Sequence, residues 1–218
     1  TLHTCIINWI TNLRKGWVSA YPFFINLKKY NIMCEFISTG RALACKDSVG
    51  GIKAVIFVPN DGSNKIVVDG TDSTTGAVDS IESSVTGAYK YELKGTSSLE
   101  ETITASADNG TVFYEQALNL TLPKLSATDT KEIKLLAASR PQIVVQDYNN
   151  NYMVVGLENG ADVSGGTIVT GTAMGDMSGY TLVFSGMETS PASHLEVETD
   201  TGTVITLGGT NDSTITYA

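Results

Sequence analysis

The amino-acid sequence predicts a mainly β protein, an antiparallel β-sandwich or partly closed barrel with one packed α-helix at about 126–139. The 218-residue chain is rich in Thr, Ser, Gly, Val and Ile and has only 5 prolines, a composition that favours strands. Its apolar residues fall in short runs separated by residues typical of turns, which predicts antiparallel hairpins. One segment alone has the periodicity of a helix with a buried face.

Pairs of apolar runs with turn residues between them predict the strands. Asn-Gly and related pairs supply the positive φ angles that a tight hairpin needs. Three hairpins are predicted in this way: 99–107 with 111–122, 142–147 with 151–156, and 195–199 with 203–207. The apolar runs 53–58 and 65–68 likewise flank the turn residues PNDGSN. The stretch 69–87 is small, polar and acidic, and we expect a solvated loop there, with a pair of edge strands as the alternative.

The predicted helix has recognisable ends. Ser126 is a suitable N-cap, and Asp129 follows three residues later in the pattern of a capping box. Ile133 and Leu136 have the spacing of one buried helical face. Pro141 then prevents the helix from continuing.

The glycine-rich segment 165–188, GGTIVTGTAMGDMSGYTLVFSGME, has six glycines and could be either a phosphate-binding loop or a glycine-punctuated hairpin. A phosphate-binding fingerprint requires a helix after the glycines. Here the glycines are followed by YTLVFSG at 180–186, whose residues alternate in the manner of a strand. We therefore expect a hairpin, or a long loop that joins two strands.

No recognisable motif predicts catalysis, a cofactor or a metal site, so we expect neither an enzyme nor a cofactor. The histidines and cysteines are scattered singly: His3, His194, Cys5, Cys34 and Cys45. A zinc site needs four convergent ligands, and without a CxxC pair the cysteines are expected to be reduced. The pair Glu196 and Glu198 most simply shares a solvated strand face, although such pairs also occur in glycosidases.

Residues 1–32 differ from the rest of the chain. They contain four basic residues, no acidic residue and both tryptophans, Trp9 and Trp17, and the first methionine of the chain is Met33. We expect 1–32 to be foreign to the main fold, an upstream stretch with Met33 as the start, or else a genuine N-terminal arm. Basic pairs divide its apolar runs into pieces too short for a membrane-spanning helix. Residues 33–218 are expected to form a single β-rich domain, with 193–218 as a C-terminal β extension.

Two segments resemble virion proteins of tailed bacteriophages. GRALACKDSVGGIKAVIFVP at 40–59 resembles the opening of small virion proteins. The block 142–192 resembles the C-terminal half of phage tail-tube proteins. It contains a V-x-D-x-N-x-x-Y hairpin, an E-N-G turn, TGTAxGDxxGY, and a closing strand that ends in G-x-E-x-x-P-A.

The resemblance implies a tail-tube subunit, a rolled β-sandwich that assembles into six-fold rings. The expected partners are other copies of the chain, other tail proteins of the phage, and genome DNA that passes through the lumen without sequence-specific binding. The expected location is the virion, after assembly in the cytoplasm of the host bacterium. The formal net charge of −9 agrees with a conduit that repels DNA phosphates. The alternatives are a neck or head-decoration protein, or a carbohydrate-binding module with exposed aromatic residues.

The glycine-rich connection 158–180, ENGADVSGGTIVTGTAMGDMSGY, is the segment that we expect to contact neighbouring subunits. Ordering a glycine costs more backbone entropy than ordering other residues, and packing against a partner would offset that cost. Methionine suits such surfaces because it is flexible and apolar. The residues predicted to lie in the interface are Asp162, Gly171, Met174, Asp176 and Met177. The alternative is a hairpin within one subunit that buries both methionines in its own core.

Overall fold

In the computed structural model of the chain, the described residues are 41, 46, 48–61, 64–71, 77–94, 96–208 and 213–218. All of them except Arg41 lie in the second of the two units into which the chain divides, Lys46–Ala218. The expectations for residues 1–32, for Met33 as the start and for the three cysteines fall outside the described residues. None of the described residues forms a helix with the length and hydrophobicity that crossing a membrane would take.

The described residues form one helix and fourteen strands, which confirms the predicted mainly β fold with a packed helix. The helix α1 is Ala127–Leu136. The strands are β1 Ile52–Val58, β2 Val68–Thr71, β3 Val78–Ile81, β4 Val85–Glu92, β5 Ser98–Ser106, β6 Thr111–Pro123, β7 Gln142–Asp147, β8 Tyr152–Val155, β9 Asp162–Val169, β10 Gly179–Glu188, β11 Ser193–Leu195, β12 Val197–Asp200, β13 Val204–Leu207 and β14 Thr214–Tyr217.

The strands form two sheets. The larger has ten strands in the order β12-β13-β14-β4-β1-β7-β8-β11-β3-β2, and the smaller has four in the order β5-β6-β10-β9. The large sheet curls until its distant parts meet. The hydroxyl of Ser213 accepts a hydrogen bond from the Ile81 amide and donates one to the Ile81 carbonyl, so the segment before β14 is tied to β3. The predicted partly closed barrel is this curled sheet.

Each face of the central strands packs into a different core. Ile56 and Val58 of β1 belong to the core inside the curled sheet. Val55 and Phe57 of the same strand belong to the core between that sheet and the four-stranded sheet. The rings of Phe57 and Phe184 lie 5.5 Å apart across this second core. A strand buried on both faces needs a continuous apolar run, which explains the unbroken AVIFV of β1.

Helix α1 confirms the predicted segment, although it ends at Leu136 rather than at residue 139. The Ser126 hydroxyl caps it by accepting a hydrogen bond from the Thr128 amide at 3.2 Å. The capping box is not completed by Asp129. Instead the Ser126 amide donates to the hydroxyl of the buried Tyr180 at 3.1 Å. The N-terminus of the helix is thereby anchored to β10 of the four-stranded sheet.

The three predicted hairpins are confirmed as β5–β6, β7–β8 and β12–β13. The prediction of a surface loop at 69–87 is wrong, because this stretch contains the end of β2, all of β3 and the start of β4. The observed structure is closer to the alternative of paired strands, since β2 pairs with β3. The stretch is also not fully solvated, because Val78, Ile81 and Val85 are buried. Of the run 65–68 only Val68 is in a strand, and it pairs with β3 rather than β1. The C-terminal stretch 193–218 forms four strands that all join the ten-stranded sheet.

Candidate assembly surface

The four-stranded sheet presents two unusually exposed outer strands. No residue of β5 or β9 is buried, and most of their side chains are exposed on both faces. Neither strand has a second partner strand among the described residues. A strand edge with unpaired amides and carbonyls is a template for pairing with another chain.

The two inner strands form a firm support for these edges. β6 and β10 pair without a register shift from Gly179 opposite Pro123 to Glu188 opposite Tyr114. Leu118 of β6 and Phe184 of β10 are completely buried in the second core. The outer strands β5 and β9 are therefore held in place by pairing with β6 and β10, and they contribute little to the core themselves.

The hairpin formed by β5 and β6 extends beyond the second core. Leu99 and Leu118 face each other where the hairpin still packs on the core. Farther out, Ile103 is opposite Tyr114, and Ile103 is 65% exposed. Alternation places Ile103 on the same face as Leu99. The polar pair Glu101 and Gln116 lies between these two apolar pairs. Beyond it Ile103 and also Val112, which is 52% exposed, are apolar residues outside the core, and such residues suit a contact surface.

All the charged residues of this sheet have the same sign. The four strands contain acidic residues and no Lys or Arg. Their acidic residues are Glu100, Glu101, Glu115, Asp162 and Glu188. Glu188 is buried, where its carboxylate accepts hydrogen bonds from the Asn159 amide and side chain. Asp162 is paired with Arg140, and the other three acids leave the sheet with a negative surface.

The loop between β9 and β10 is ordered by one carboxylate. Asp176 accepts hydrogen bonds from the amides of Ala173 and Thr172 and from the Thr172 hydroxyl, at 2.7–2.9 Å. These bonds, first the one from the Ala173 amide, lower the pKa of the Asp176 carboxyl. Gly171 has φ 76°, and a Cβ there would lie 2.9 Å from the Asp176 Cβ. The loop therefore needs glycine at 171 and a short acceptor at 176.

The structure gathers four of the five predicted interface residues in this loop: Gly171, Met174, Asp176 and Met177. The alternative of a hairpin within the chain is right in its pairing, since β9 and β10 are antiparallel neighbours. Its burial of both methionines is wrong, because the Met174 side chain is fully exposed and that of Met177 is exposed at the margin. Asp162 lies at the other end of β9, where it accepts a hydrogen bond from Arg140 at 2.8 Å. Both partners of that ion pair are largely exposed, so it adds little stability.

The exposed end of the β5–β6 hairpin was not predicted from the sequence. Ile103 was included in a predicted strand, but alternation alone does not tell which part of a long strand lies over a core. A polar network at one end of the curled sheet was not predicted either. There Asp200 accepts hydrogen bonds from the hydroxyls of Tyr152 at 2.7 Å and Tyr217 at 2.6 Å. Lys90 lies 3.8 Å from the same carboxylate.

This network changes the ionisation of its members. Burial alone would raise the pKa of the Asp200 carboxyl, but hydrogen bonds from Tyr217, Tyr152 and the Gly202 amide, with the charge of Lys90, outweigh it and lower that pKa. Burial and the bond to Asp200 raise the pKa of both tyrosines. The network ties the C-terminal strands to β4 and β8.

The comparisons with known proteins give no relative: no family model, no curated protein and no solved structure matches the chain. Among the described residues, no group of three or more His, Cys, Asp or Glu side chains is placed to hold a metal ion.

Proposed function

We propose that this chain is a self-assembling structural subunit in which the β5 edge of one copy pairs with the β9 edge of the next. The observation that carries the proposal is the exposure of both outer strands of one sheet. Main-chain hydrogen bonds between such edges extend a sheet from copy to copy. Because the two edges differ, the contact is head-to-tail, and a head-to-tail contact closes into a ring when its rotation allows.

We further propose that the assembly is the tail tube of a tailed bacteriophage, with the rings stacked around a DNA conduit. The resemblance of 142–192 to tail-tube proteins supports this assignment. The charge of the four-stranded sheet supports it independently, because a continuous sheet of acidic and hydroxyl side chains would repel DNA phosphates and let the polymer slide. The outer face of the sheet, with Thr102, Glu115 and Thr181, would then line the lumen.

The test uses two variants of the full chain, each with one blocked edge. Ile103→Lys places a charge on β5, and Ile168→Lys places one on β9, where Ile168 is 59% exposed. A charge at a sheet edge opposes strand addition. Each variant alone should be monomeric by light scattering. An equimolar mixture should give a dimer and nothing larger, because only one pair of intact edges remains.

The matched control is Val49→Lys, an equally exposed apolar position at 64% outside the four-stranded sheet, which should assemble as the parent does. If either edge variant alone retains the size of the parent, the β5–β9 contact is wrong. Negative-stain images of the parent then test the tube. Rings that never stack would contradict the tail-tube assignment and favour a neck component, and a monomeric parent would contradict assembly altogether.

A further inference from the structure

The chain contains two Asn-Gly pairs that share the same chemistry and lie in different surroundings. Asn109-Gly110 ends the turn between β5 and β6, and Asn159-Gly160 lies between β8 and β9. In such a pair the main-chain nitrogen of the glycine can attack the side-chain carbonyl carbon of the asparagine, because glycine has no Cβ to obstruct the ring that forms. How readily each pair reacts is then decided by how firmly the fold holds it.

The first pair is unrestrained. Asn109 and Gly110 are both exposed, and a Cβ at Gly110 would meet nothing within 4 Å. The Asn109 main-chain amide donates to the Ser106 hydroxyl at 3.3 Å. Among the described residues, no group is hydrogen-bonded to the Asn109 side-chain amide or to the Gly110 N–H. Both reacting groups are therefore free to approach each other at the tip of the hairpin, where chemical change is most easily tolerated.

The second pair is held at both reacting groups. The Asn159 side-chain nitrogen donates to the Met187 carbonyl at 3.0 Å and to the Glu188 carboxylate at 3.3 Å. The Gly160 N–H donates to the Gly156 carbonyl at 3.1 Å, and Gly160 is buried. The reaction here would first have to break these hydrogen bonds, which requires a local opening of the fold.

We propose that Asn109 is a site of spontaneous covalent modification, at which the side-chain amide becomes a carboxylate with water as the only co-reactant. A base in the solvent takes the proton of the Gly110 amide, and the nitrogen attacks Asn109 Cγ to form a succinimide ring. The bond between Cγ and the side-chain nitrogen breaks, and that nitrogen leaves as ammonia with the proton returned to it. Water then opens the ring at either carbonyl, which gives aspartate or isoaspartate.

The modification changes the charge and the main chain at the tip of the β5–β6 hairpin. Either product adds a negative charge beside Asp108, and isoaspartate also lengthens the main chain by one methylene group. The residues of this turn belong to neither core, so the product leaves both cores unchanged. The reaction needs no partner chain and is therefore independent of the proposed assembly.

The test is incubation of the folded full chain at neutral and at mildly alkaline pH, followed by tandem mass spectrometry that locates the exchange of an amino group for a hydroxyl. Position 109 should react roughly tenfold or more faster than position 159, since several hydrogen bonds protect the latter. The reaction should accelerate as the pH rises, because the attacking amide must lose its proton. Isoaspartate should form beside aspartate, and aspartate alone would overturn the cyclic route.

Two controls separate the effect of the fold from that of the dipeptide. In urea, where both pairs are unfolded, positions 109 and 159 should react at similar rates. Asn109→Gln, whose side chain is one methylene longer and cannot form the same ring, should lose the reaction at 109 and leave Asn159 as in the parent. No reaction at 109 in the folded chain would overturn the proposal. So would equal rates at 109 and 159 in the folded chain, or the same difference between them in urea.

Discussion

The substitution Met174→Glu tests whether the β9–β10 loop contacts a neighbouring subunit. The Met174 side chain is fully exposed, so the glutamate remains solvated in the isolated subunit. Its cost to the free energy of unfolding should be no more than about 0.5 kcal/mol. The loop itself is kept in shape by Asp176 and Gly171, which the substitution does not touch.

The same substitution should be severe in an assembled state. If Met174 is covered by a neighbouring copy, the new carboxylate loses water without gaining a partner, which costs several kcal/mol. Taking about 3 kcal/mol per contact, association weakens by roughly 10²-fold. A ring repeats the contact at every subunit, so assembly at concentrations near the parent's own threshold should disappear.

Light scattering and thermal unfolding on the same sample measure the two effects. We expect a variant that unfolds at the parent's temperature but stays small. Val49→Glu, at an exposed apolar site outside the loop, is the matched control and should still assemble. A folded Met174→Glu variant that assembles as readily as the parent would remove Met174 from the interface. A variant that unfolds would show that the loop stabilises the subunit itself.

Two further predictions concern the stability of the fold. Tyr180→Phe removes the hydroxyl that accepts from the Ser126 amide and donates to the Ser126 carbonyl, so we expect a loss of about 1–2 kcal/mol in urea unfolding; no loss would mean that the helix needs no anchor. Asp200→Asn tests the polar network. The pKa of Asp200 is lower in the folded chain than in the unfolded chain. The ionised Asp200 carboxylate therefore stabilises the fold above about pH 4, and this stabilisation is lost as the pH falls through the folded pKa. Urea unfolding should therefore show the variant to be less stable than the parent at pH 7, with the difference shrinking toward pH 3, and a constant difference would contradict this sign.

The sequence predicted the elements that depend on neighbours along the chain. Asn109-Gly110 defines the β5–β6 turn, and Ser126 with Pro141 brackets the helix. Each of these signals acts within a few residues, so it can be recognised without the fold. The stretch 69–87 was misjudged because its strands depend on distant partners. Val78 of β3 pairs with Leu195 of β11 in parallel. A pairing between residues so far apart in sequence cannot be predicted from a local pattern of small polar residues.

The partners of the two buried glutamines of β7 were equally hidden, for a related reason. The alternation in QIVVQD places Gln142 and Gln146 on the same strand face as the buried Val144. That pattern could have indicated buried amides, but it could not name their partners. Gln142 donates to the carbonyls of Ile66 and Leu157, both remote in sequence. A buried polar residue is recognisable as unusual before the fold is known, whereas the group that satisfies it is not.

The two adjacent glycines of β9, Gly165 and Gly166, have different reasons for being glycine. At Gly166 a Cβ would lie 2.6 Å from the Thr181 carbonyl oxygen, so the close approach of β10 requires glycine there. At Gly165 a Cβ would meet nothing within 4 Å, and φ is not positive. Glycine weakens a strand by adding entropy to the unfolded chain and no packing. The register of β9 against β10 shifts beside Gly165, and glycine in a strand often marks such a bulge. A backbone arriving from a neighbouring copy would give a second reason for glycine at 165.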